Sequence, residues 1–344
     1  MFDGANVPTD NKEKLLNILL RDSFGPVKAS ELDINNDPYS DQQRLLNERH
    51  SDNRLTVKSG KIGGHVLGAA PLKQIDAQNN QVFIEGGEIH KSVYGAHTSR
   101  KDASVKHNKV TITGGEVKGF NSGAVFGGYS TNGSAESNSV LINGDKVTIW
   151  QTVYGGASNA NATSNLSALN NSVTVTAGTI NDSVIGGLAP RGSTTNGKAE
   201  GNSVLINGPR AHVTGQIIGG HARDVIGNTV TISAGKIAND VIGGYSPANK
   251  SYSFNKPQKI QLKNNKVVID GSPEFLSRKQ GTLDIWPTLY GWKANAGASH
   301  IEASGNMLEV RTKGISAGNI KNFEVINFYL PADIQANEKV LTLT

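Results

Sequence analysis

The sequence predicts an all-β fold: a single-stranded parallel β-helix (β-solenoid) of about eight coils with a cap at each end. The first observation behind this prediction is a unit of about 30 residues that recurs from Ile62 to Gly291. The second is a pair of markers that alternate along these units. The third is a composition of 40 glycines against 11 prolines, which suits many short strands and tight turns. A single unit cannot bury its own apolar face, but stacked units bury a continuous one.

The clearest copy of the unit is the stretch 171–187, NSVTVTAGTINDSVIGG. Its first part alternates apolar and polar residues with period two, as in a half-buried strand. Ala177-Gly178 and Asn181-Asp182 favour turns, and a third short run closes the unit at 184–187. Each unit is therefore expected to contribute three short strands and three corners.

The first marker is an asparagine that opens an apolar-x-apolar strand. We expect these asparagines to mark a corner, because their side chain tolerates left-handed backbone geometry and can bond the neighbouring backbone or the next asparagine in a stacked ladder. A structural role is thus favoured over a catalytic one. The positions are Asn80, Asn108, Asn138, Asn171, Asn202, Asn228, Asn265 and Asn306.

The second marker is an apolar residue, a second apolar or aromatic residue, and glycine. Period two places the middle residue on the opposite face from the one before it. Two interpretations stay open: the middle residues form an outward apolar stripe that binds a partner, or they are only core. This column comprises Tyr94, Phe126, Tyr154, Ile185, Ile218, Ile242 and Tyr290.

The chain is expected to divide into three segments. Residues 1–57 precede the repeats and are expected to be partly helical, because apolar residues between Asn11 and Leu20 fall on one helical face; they form an N-terminal cap or are only a leader. Residues 58–314 carry the β-helix repeats, and residues 315–344, with two apolar strands off the repeat pattern, form a C-terminal cap. Two long insertions, 246–264 and 272–287, interrupt the last repeats.

Charge and composition limit the ligands, covalent links and cellular locations that the sequence allows. The formal charge is +5, and residues 1–57 hold ten acidic and seven basic residues, which leaves about +8 on the repeats. This charge suits anionic glycans or lipid head groups, or simply a solvated surface. The chain has no cysteine, which excludes disulfides and thiolate metal sites, and no apolar run of the roughly 20 residues that a membrane helix needs. Because no signal peptide is visible, we expect either a cytoplasmic protein or, preferably, a mature segment of an exported one.

The repeats contain V-Y-G-G at 153–156 and N-T-V-T-I at 228–232, and the chain closes with N-F at 322–323, N-F-Y-L-P at 327–331 and V-L-T at 340–342. Over about residues 58–344, this combination resembles the passenger domains of bacterial autotransporters (type V secretion). The resemblance implies a right-handed parallel β-helix at the surface of, or secreted from, a Gram-negative-type bacterium. It also implies an outer-membrane barrel C-terminal to this chain.

The sequence shows no catalytic motif. Glycoside cleavage needs two neighbouring carboxyl groups, and no carboxylate pair recurs in register. A glycoside-cleaving enzyme is therefore less favoured but not excluded. Serine-protease, calcium-repeat and phosphate-loop motifs do not occur, and the cluster His90, His97 and His107 is dispersed within one unit. We therefore expect a non-enzymatic adhesin or self-association module without a cofactor; the alternative is a polysaccharide-cleaving or other enzymatic β-helix. The expected partners are host or bacterial surface glycans or proteins, or further copies of the chain, and not nucleic acid.

The binding site is expected in the C-terminal third, where both insertions and many aromatic and basic residues gather. Aromatic faces beside cations suit sugar rings and anionic groups, and solenoids place specificity in loops. The alternative is that the tryptophans only plug the last coils. The predicted binding residues are Tyr252, Phe254, Lys256, Lys259, Lys279, Trp286, Tyr290 and Trp292.

Overall fold

The structure is a computed structural model that describes residues 50–71, 73–119, 123–158, 166–189, 197–247, 259–295 and 300–344. Within these ranges the chain forms strands, turns and bends, and no helix. The predicted helical segment between Asn11 and Leu20 lies outside the described residues, as does most of the predicted N-terminal segment.

Three long parallel sheets form the fold, and the chain visits them in turn. Strands that neighbour each other in a sheet therefore come from successive repeat units. The all-β prediction is confirmed, and the parallel stacking is consistent with a β-solenoid.

The strands of the first sheet fall into two groups, one on each side of a bend. The longer path runs through Arg54–Val57, Gln81–Ile84, Lys109–Ile112, Ser139–Ile142, Ser172–Ile180, Ser203–Val213, Thr229–Ile232, Lys266–Ile269, Met307–Val310 and Val325–Phe328. The other group comprises Lys61–Ile62, Glu88–Ile89, Glu116–Val117, Thr148–Ile149, Lys236–Ile237 and Glu274–Phe275.

The second and third sheets follow the same order. The second comprises Val66–Leu67, Val93–Tyr94, His97–Thr98, Val125–Phe126, Tyr129–Ser130, Val153–Ser158, Val184–Ala189, Ile217–Ala222, Val241–Ser246, Thr288–Ala294 and Asn319–Lys321. The third comprises Ala77–Gln78, Val105–Lys106, Ala135–Glu136, Ser167–Leu169, Lys198–Glu200, Asp224–Ile226, Ile260–Lys263 and Ile301–Ser304. Two small pairs complete the described strands: Arg278–Gln280 with Leu283–Ile285, antiparallel, and Ile315–Ala317 with Leu341–Leu343, parallel.

The main core is filled by β-branched and leucine side chains from the first and second sheets. Val82, Ile84, Ile89 and Val93 supply it from one unit and are all 0% exposed. Each such side chain stabilises the fold by about 1.5–3 kcal/mol relative to an exposed one. Small residues of the third sheet, such as Ala77 and Ala135, form separate clusters and allow that sheet to approach the second closely.

A ladder of buried asparagines joins the units at one corner. The Nδ2 of each ladder asparagine donates to the Oδ1 of the next at 2.8–3.0 Å. From Asn80 onward, Nδ2 also donates to a backbone carbonyl of the preceding unit, as Asn171 does to Ala135 at 3.0 Å. The predicted ladder is therefore present. Its members are Asn53, Asn80, Asn108, Asn138, Asn171, Asn202, Asn228, Asn265 and Asn306, with the Glu324 carboxylate as the last acceptor.

The left-handed backbone at this corner belongs to the residue before each asparagine, which corrects the expectation that the asparagine itself adopts it. The side chain of each ladder asparagine is buried and bonds the neighbouring units, so the residue before it adopts the positive φ that turns the chain at the corner. The φ values are +59° at Asn79, +54° at His107, +54° at Asn170 and +65° at Gly201.

Some segments that the sequence placed outside the repeats lie in the sheets. Arg54–Val57 pairs in register with Gln81–Ile84, and Val325–Phe328 pairs in register with Met307–Val310. Within the second predicted insertion, Glu274–Phe275 pairs with Lys236–Ile237 in the first sheet. Most of the first insertion, residues 248–258, lies outside the described residues.

Candidate functional site

The middle residues of the second sequence marker, each of which lies between an apolar residue and a glycine, form a column on the outer face of the second sheet. The residue before each member, such as Val93, Val153 or Val184, points into the main core, so alternation turns the column away from it. Register pairing stacks the members on one another. We call this set the outer row: Tyr94, Phe126, Tyr154, Ile185, Ile218, Ile242 and Tyr290.

A second row runs parallel to the outer row, three residues later in each strand. The strand bends between the rows, where the first of the two intervening residues is always glycine and the second is glycine in five of the seven strands and Ala96 or Trp292 in the others. A Cβ on Gly186 would lie 2.5 Å from the carbonyl oxygen of Gly219, and one on Gly187 would lie 2.3 Å from Asn202 Oδ1. At the first position a Cβ would meet the backbone of the next strand in every unit, so only glycine fits there. The second row comprises His97, Tyr129, Ala157, Leu188, His221, Tyr245 and Lys293.

The two rows pack against each other and form what we call the outer seam. In its middle section Ile185 is 6%, Ile218 3% and Ile242 0% exposed, with Leu188 and Tyr245 packed against them. The middle section thus behaves as a small second core. Tyr94, Tyr129 and Tyr154, nearer the N-terminal end, remain partly exposed.

The partly exposed section of the seam is a stack of aromatic rings. The ring of Phe126 lies 4.9 Å from that of Tyr94 and 4.7 Å from that of Tyr154, nearly parallel to both. Tyr129 is tilted against Tyr94 and Phe126 at 6.0 and 5.0 Å. Because the stacked rings cover one another's faces, mainly their edges remain uncovered.

The seam contains two histidines that stay neutral at neutral pH. Burial lowers the pKa of His221 to about 4. Burial, with a smaller effect of His65, lowers the pKa of His97 to about 4. The His221 ring lies 4.7 Å from that of Tyr245, and both of its nitrogens are buried without a hydrogen-bond partner within the described part of the chain.

A single lysine brings charge to the C-terminal end of the second row. Lys293 Nζ lies 4.8 Å above the Tyr290 ring and 3.1 Å from Asp240 Oδ2. The carboxylate balances this charge, so the seam as a whole is an uncharged apolar surface.

Three residues predicted for the C-terminal site, Tyr252, Phe254 and Lys256, lie outside the described residues. The other two predicted lysines lie on different segments. Lys259 is exposed at the entry to the third sheet, and its carbonyl accepts a bond from Arg223 Nη2 at 2.7 Å. Lys279 is exposed on the antiparallel pair that precedes a strand of the second sheet, with Nζ 2.9 Å from Asp284.

The three remaining predicted aromatic residues also diverge. Tyr290 belongs to the outer row. Trp292 packs against the interior cluster of Ala189, Ala222 and Leu262, and its Nε1 lies 3.4 Å from Glu324 Oε1. Trp286 is partly buried. Sequence analysis did not predict the second row, although each of its aromatic members follows the middle residue of the second marker by three positions.

A search of the described ranges for groups of three or more His, Cys, Asp or Glu residues that could hold a metal ion finds none. Those ranges also contain no helix with the length and hydropathy needed to cross a membrane. Comparison of the chain with protein-family models, with curated proteins and with solved structures gave no match.

Proposed function

We propose that this chain is a non-enzymatic binding protein that acts in adhesion or self-association. The observation that carries the proposal is the partly exposed aromatic section of the outer seam. It lies on the outside of a rigid stack of sheets, where an aromatic surface favours a partner. Its rings are held by stacking within the protein, so little side-chain entropy is lost on binding.

The same proposal includes a right-handed β-helix of about eight coils that serves as the passenger of an autotransporter, followed by an outer-membrane barrel. The motifs at 153–156, 228–232 and 327–331 and the three parallel sheets support it. The protein would then be displayed on, or released from, a Gram-negative-type cell. Labelling of intact source bacteria with antibody against this chain tests display; labelling only after lysis would refute it.

The partner of the aromatic section is a surface glycan or protein that offers hydrogen-bonding groups to tyrosine hydroxyls and an apolar surface to ring edges. The test compares purified parent chain with Tyr129→Ser and Tyr154→Ser in attachment to cells and in sedimentation. We expect both variants to lose attachment or self-association about tenfold, and melting curves recorded in parallel verify that each variant is folded under the assay conditions.

Tyr329→Ser is the matched control, because Tyr329 is 50% exposed but lies outside the seam. It should attach as the parent does. If Tyr129→Ser and Tyr154→Ser also attach as the parent does, the seam is not the binding surface.

The basic C-terminal third remains a second proposed position for the site, supported by the exposure of Lys259 and Lys279. Replacement of Lys256, Lys259 and Lys279 by Glu should weaken attachment to anionic glycans, more so at low salt. Unchanged attachment at low salt would reject this position.

A further inference from the structure

One exposed tryptophan lies on the outer face of the first sheet, away from the seam. Trp150 follows the strand Thr148–Ile149, and its backbone N–H bonds the carbonyl of Val117 at 3.0 Å. Ile149 and Val117 are 0% exposed in the main core. Alternation therefore turns Trp150 and Lys118, its neighbour in the next strand, outward.

A chain of polar contacts crosses four strands beside this tryptophan. The indole Nε1 of Trp150 donates to Glu116 Oε1 at 2.7 Å. Lys118 Nζ lies 3.3 Å from Glu116 Oε2 and 3.0 Å from Glu88 Oε1. Glu88 also contacts His90 Nε2 and, at 3.7 Å, Lys61 Nζ.

Trp150 is 49% exposed although its one polar atom is already bonded within the protein. Solvent therefore meets the carbon surface of the indole. The bond to Glu116 fixes the ring orientation before any ligand arrives, which reduces the entropy lost on binding.

The groups around the ring offer both hydrogen-bond donors and acceptors. The side chains of Glu88, Lys118 and Glu116 are 31%, 31% and 33% exposed. Their formal charges and that of Lys61 cancel, two positive against two negative. Lys118 and His90 lower the pKa of Glu88, and Glu88 raises the pKa of Lys118, so both are charged at neutral pH.

We propose that Trp150 and its polar neighbours form a binding site for a neutral pyranose unit of a surface glycan, the indole covering the C–H face of the ring and Glu88, Glu116 and Lys118 bonding its hydroxyls. The inference rests on the proposed binding function but names a separate face and a ligand class. A pyranose combines an apolar face with hydroxyls that donate and accept, which matches this set of groups.

Other ligand classes fit less well. An anionic glycan would have to draw Lys118 away from two carboxylates. A protein partner would need a broader apolar area, whereas the residues flanking Trp150 in neighbouring strands are Lys118 and Asn181.

The test is titration of the parent, Trp150→Ala, Trp150→Phe and Glu116→Gln with neutral and acidic oligosaccharides, by glycan array and by intrinsic tryptophan fluorescence. Thr214→Ala is the matched control, because Thr214 occupies the same column two strands away from Trp150. We expect Trp150→Ala to lose neutral-glycan affinity at least about tenfold, Trp150→Phe and Glu116→Gln to lose part of it, and Thr214→Ala to bind as the parent does. Because charges cancel at the site, 0.5 M salt should change the parent's affinity less than about twofold.

Unaltered binding by Trp150→Ala, loss of binding at high salt, binding of acidic glycans only, or binding of no neutral glycan by the parent each overturns the inference. Any of these outcomes leaves the seam proposal standing if Tyr129→Ser and Tyr154→Ser still lose attachment. Melting curves by circular dichroism verify that Trp150→Ala is folded, and the milder Trp150→Phe decides the matter if it is not.

Discussion

Replacement of Asn171 by alanine should destabilise the protein more than any exposed substitution. Asn171 is 0% exposed and stands in the middle of the asparagine ladder. Its Oδ1 accepts from the backbone N of Asn138 at 2.9 Å and from Asn138 Nδ2 at 3.0 Å. Its Nδ2 donates to Asn202 Oδ1 and to the Ala135 carbonyl, both at 3.0 Å.

The expected loss follows from the partners left behind. Alanine leaves the Asn138 backbone N–H buried without its partner, which costs about 1–3 kcal/mol, and it removes the bonds to the Ala135 carbonyl and from Asn138 Nδ2, worth about 0.5–1.5 kcal/mol each. Asn202 Oδ1 still accepts from the backbone N of residue 171, at 2.9 Å in the parent, so it adds little. The total loss in free energy of unfolding should be about 3–5 kcal/mol.

Urea unfolding followed by far-ultraviolet circular dichroism measures this loss. The matched control is Asn143→Ala, because Asn143 is exposed and accepts one bond from Thr176 Oγ1; it should change stability by less than about 1 kcal/mol. The combined variant Asn138→Ala with Asn171→Ala should cost less than the sum of the two single changes, because they share bonds.

If Asn171→Ala and Asn143→Ala shift the unfolding midpoint equally, the ladder does not stabilise the fold as described. Additive losses in the double variant would show that the two asparagines act independently.

Three further outcomes are expected. Gly156→Ala places a Cβ 2.1 Å from Asn171 Oδ1 and should lower the unfolding midpoint strongly, whereas Gly63→Ala, with nothing within 4 Å, should not; equal effects would contradict the packing described. The pKa of His221 is lowered from 6.5 to about 4, so the unfolded chain takes up its proton first as the pH falls. Stability should therefore decline by about 2–3 kcal/mol between pH 6.5 and 4, His221→Leu should reduce this decline in urea midpoints, and identical pH profiles would refute the assignment. Val230→Asp buries an unpaired charge at a 0% exposed position and should cost several kcal/mol, at least about 3, in thermal melts, whereas Thr231→Asp on the outward face should be milder; equal melting temperatures would place Val230 outside the core.

Much of the fold could be predicted because stacking repeats each local signal. The asparagine at 171 and its counterparts predicted the corner ladder, and all of the predicted members are bonded in it. Asn53 opens the same apolar-x-apolar pattern, N-R-L-T-V, so the sequence contained the signal for one earlier strand. Glu324 as the final acceptor could not be predicted, because a carboxylate carries no repeat signal.

The site was harder to predict because exposure depends on contacts across the bend in the second sheet. The period-two pattern correctly predicted that Ile242 points away from the main core. The pattern could not predict that Tyr245 and Tyr290 pack against the cluster that contains Ile242. Trp150 belongs to neither marker, and its significance comes only from the register that brings Glu116 beside it.

The asparagine ladder also makes the length of the molecule an adjustable property. Every ladder asparagine offers the next unit the same donor and the previous unit the same acceptor, so a unit meets identical chemistry whichever units flank it. Asn202 and Asn228 are 26 residues apart, and deletion of residues 202–227 would bring Asn171 beside Asn228, Gly186 beside Gly243 and Ile185 beside Ile242. Gain or loss of whole units can therefore change the length of the binding surface while the core contacts between neighbouring units stay the same.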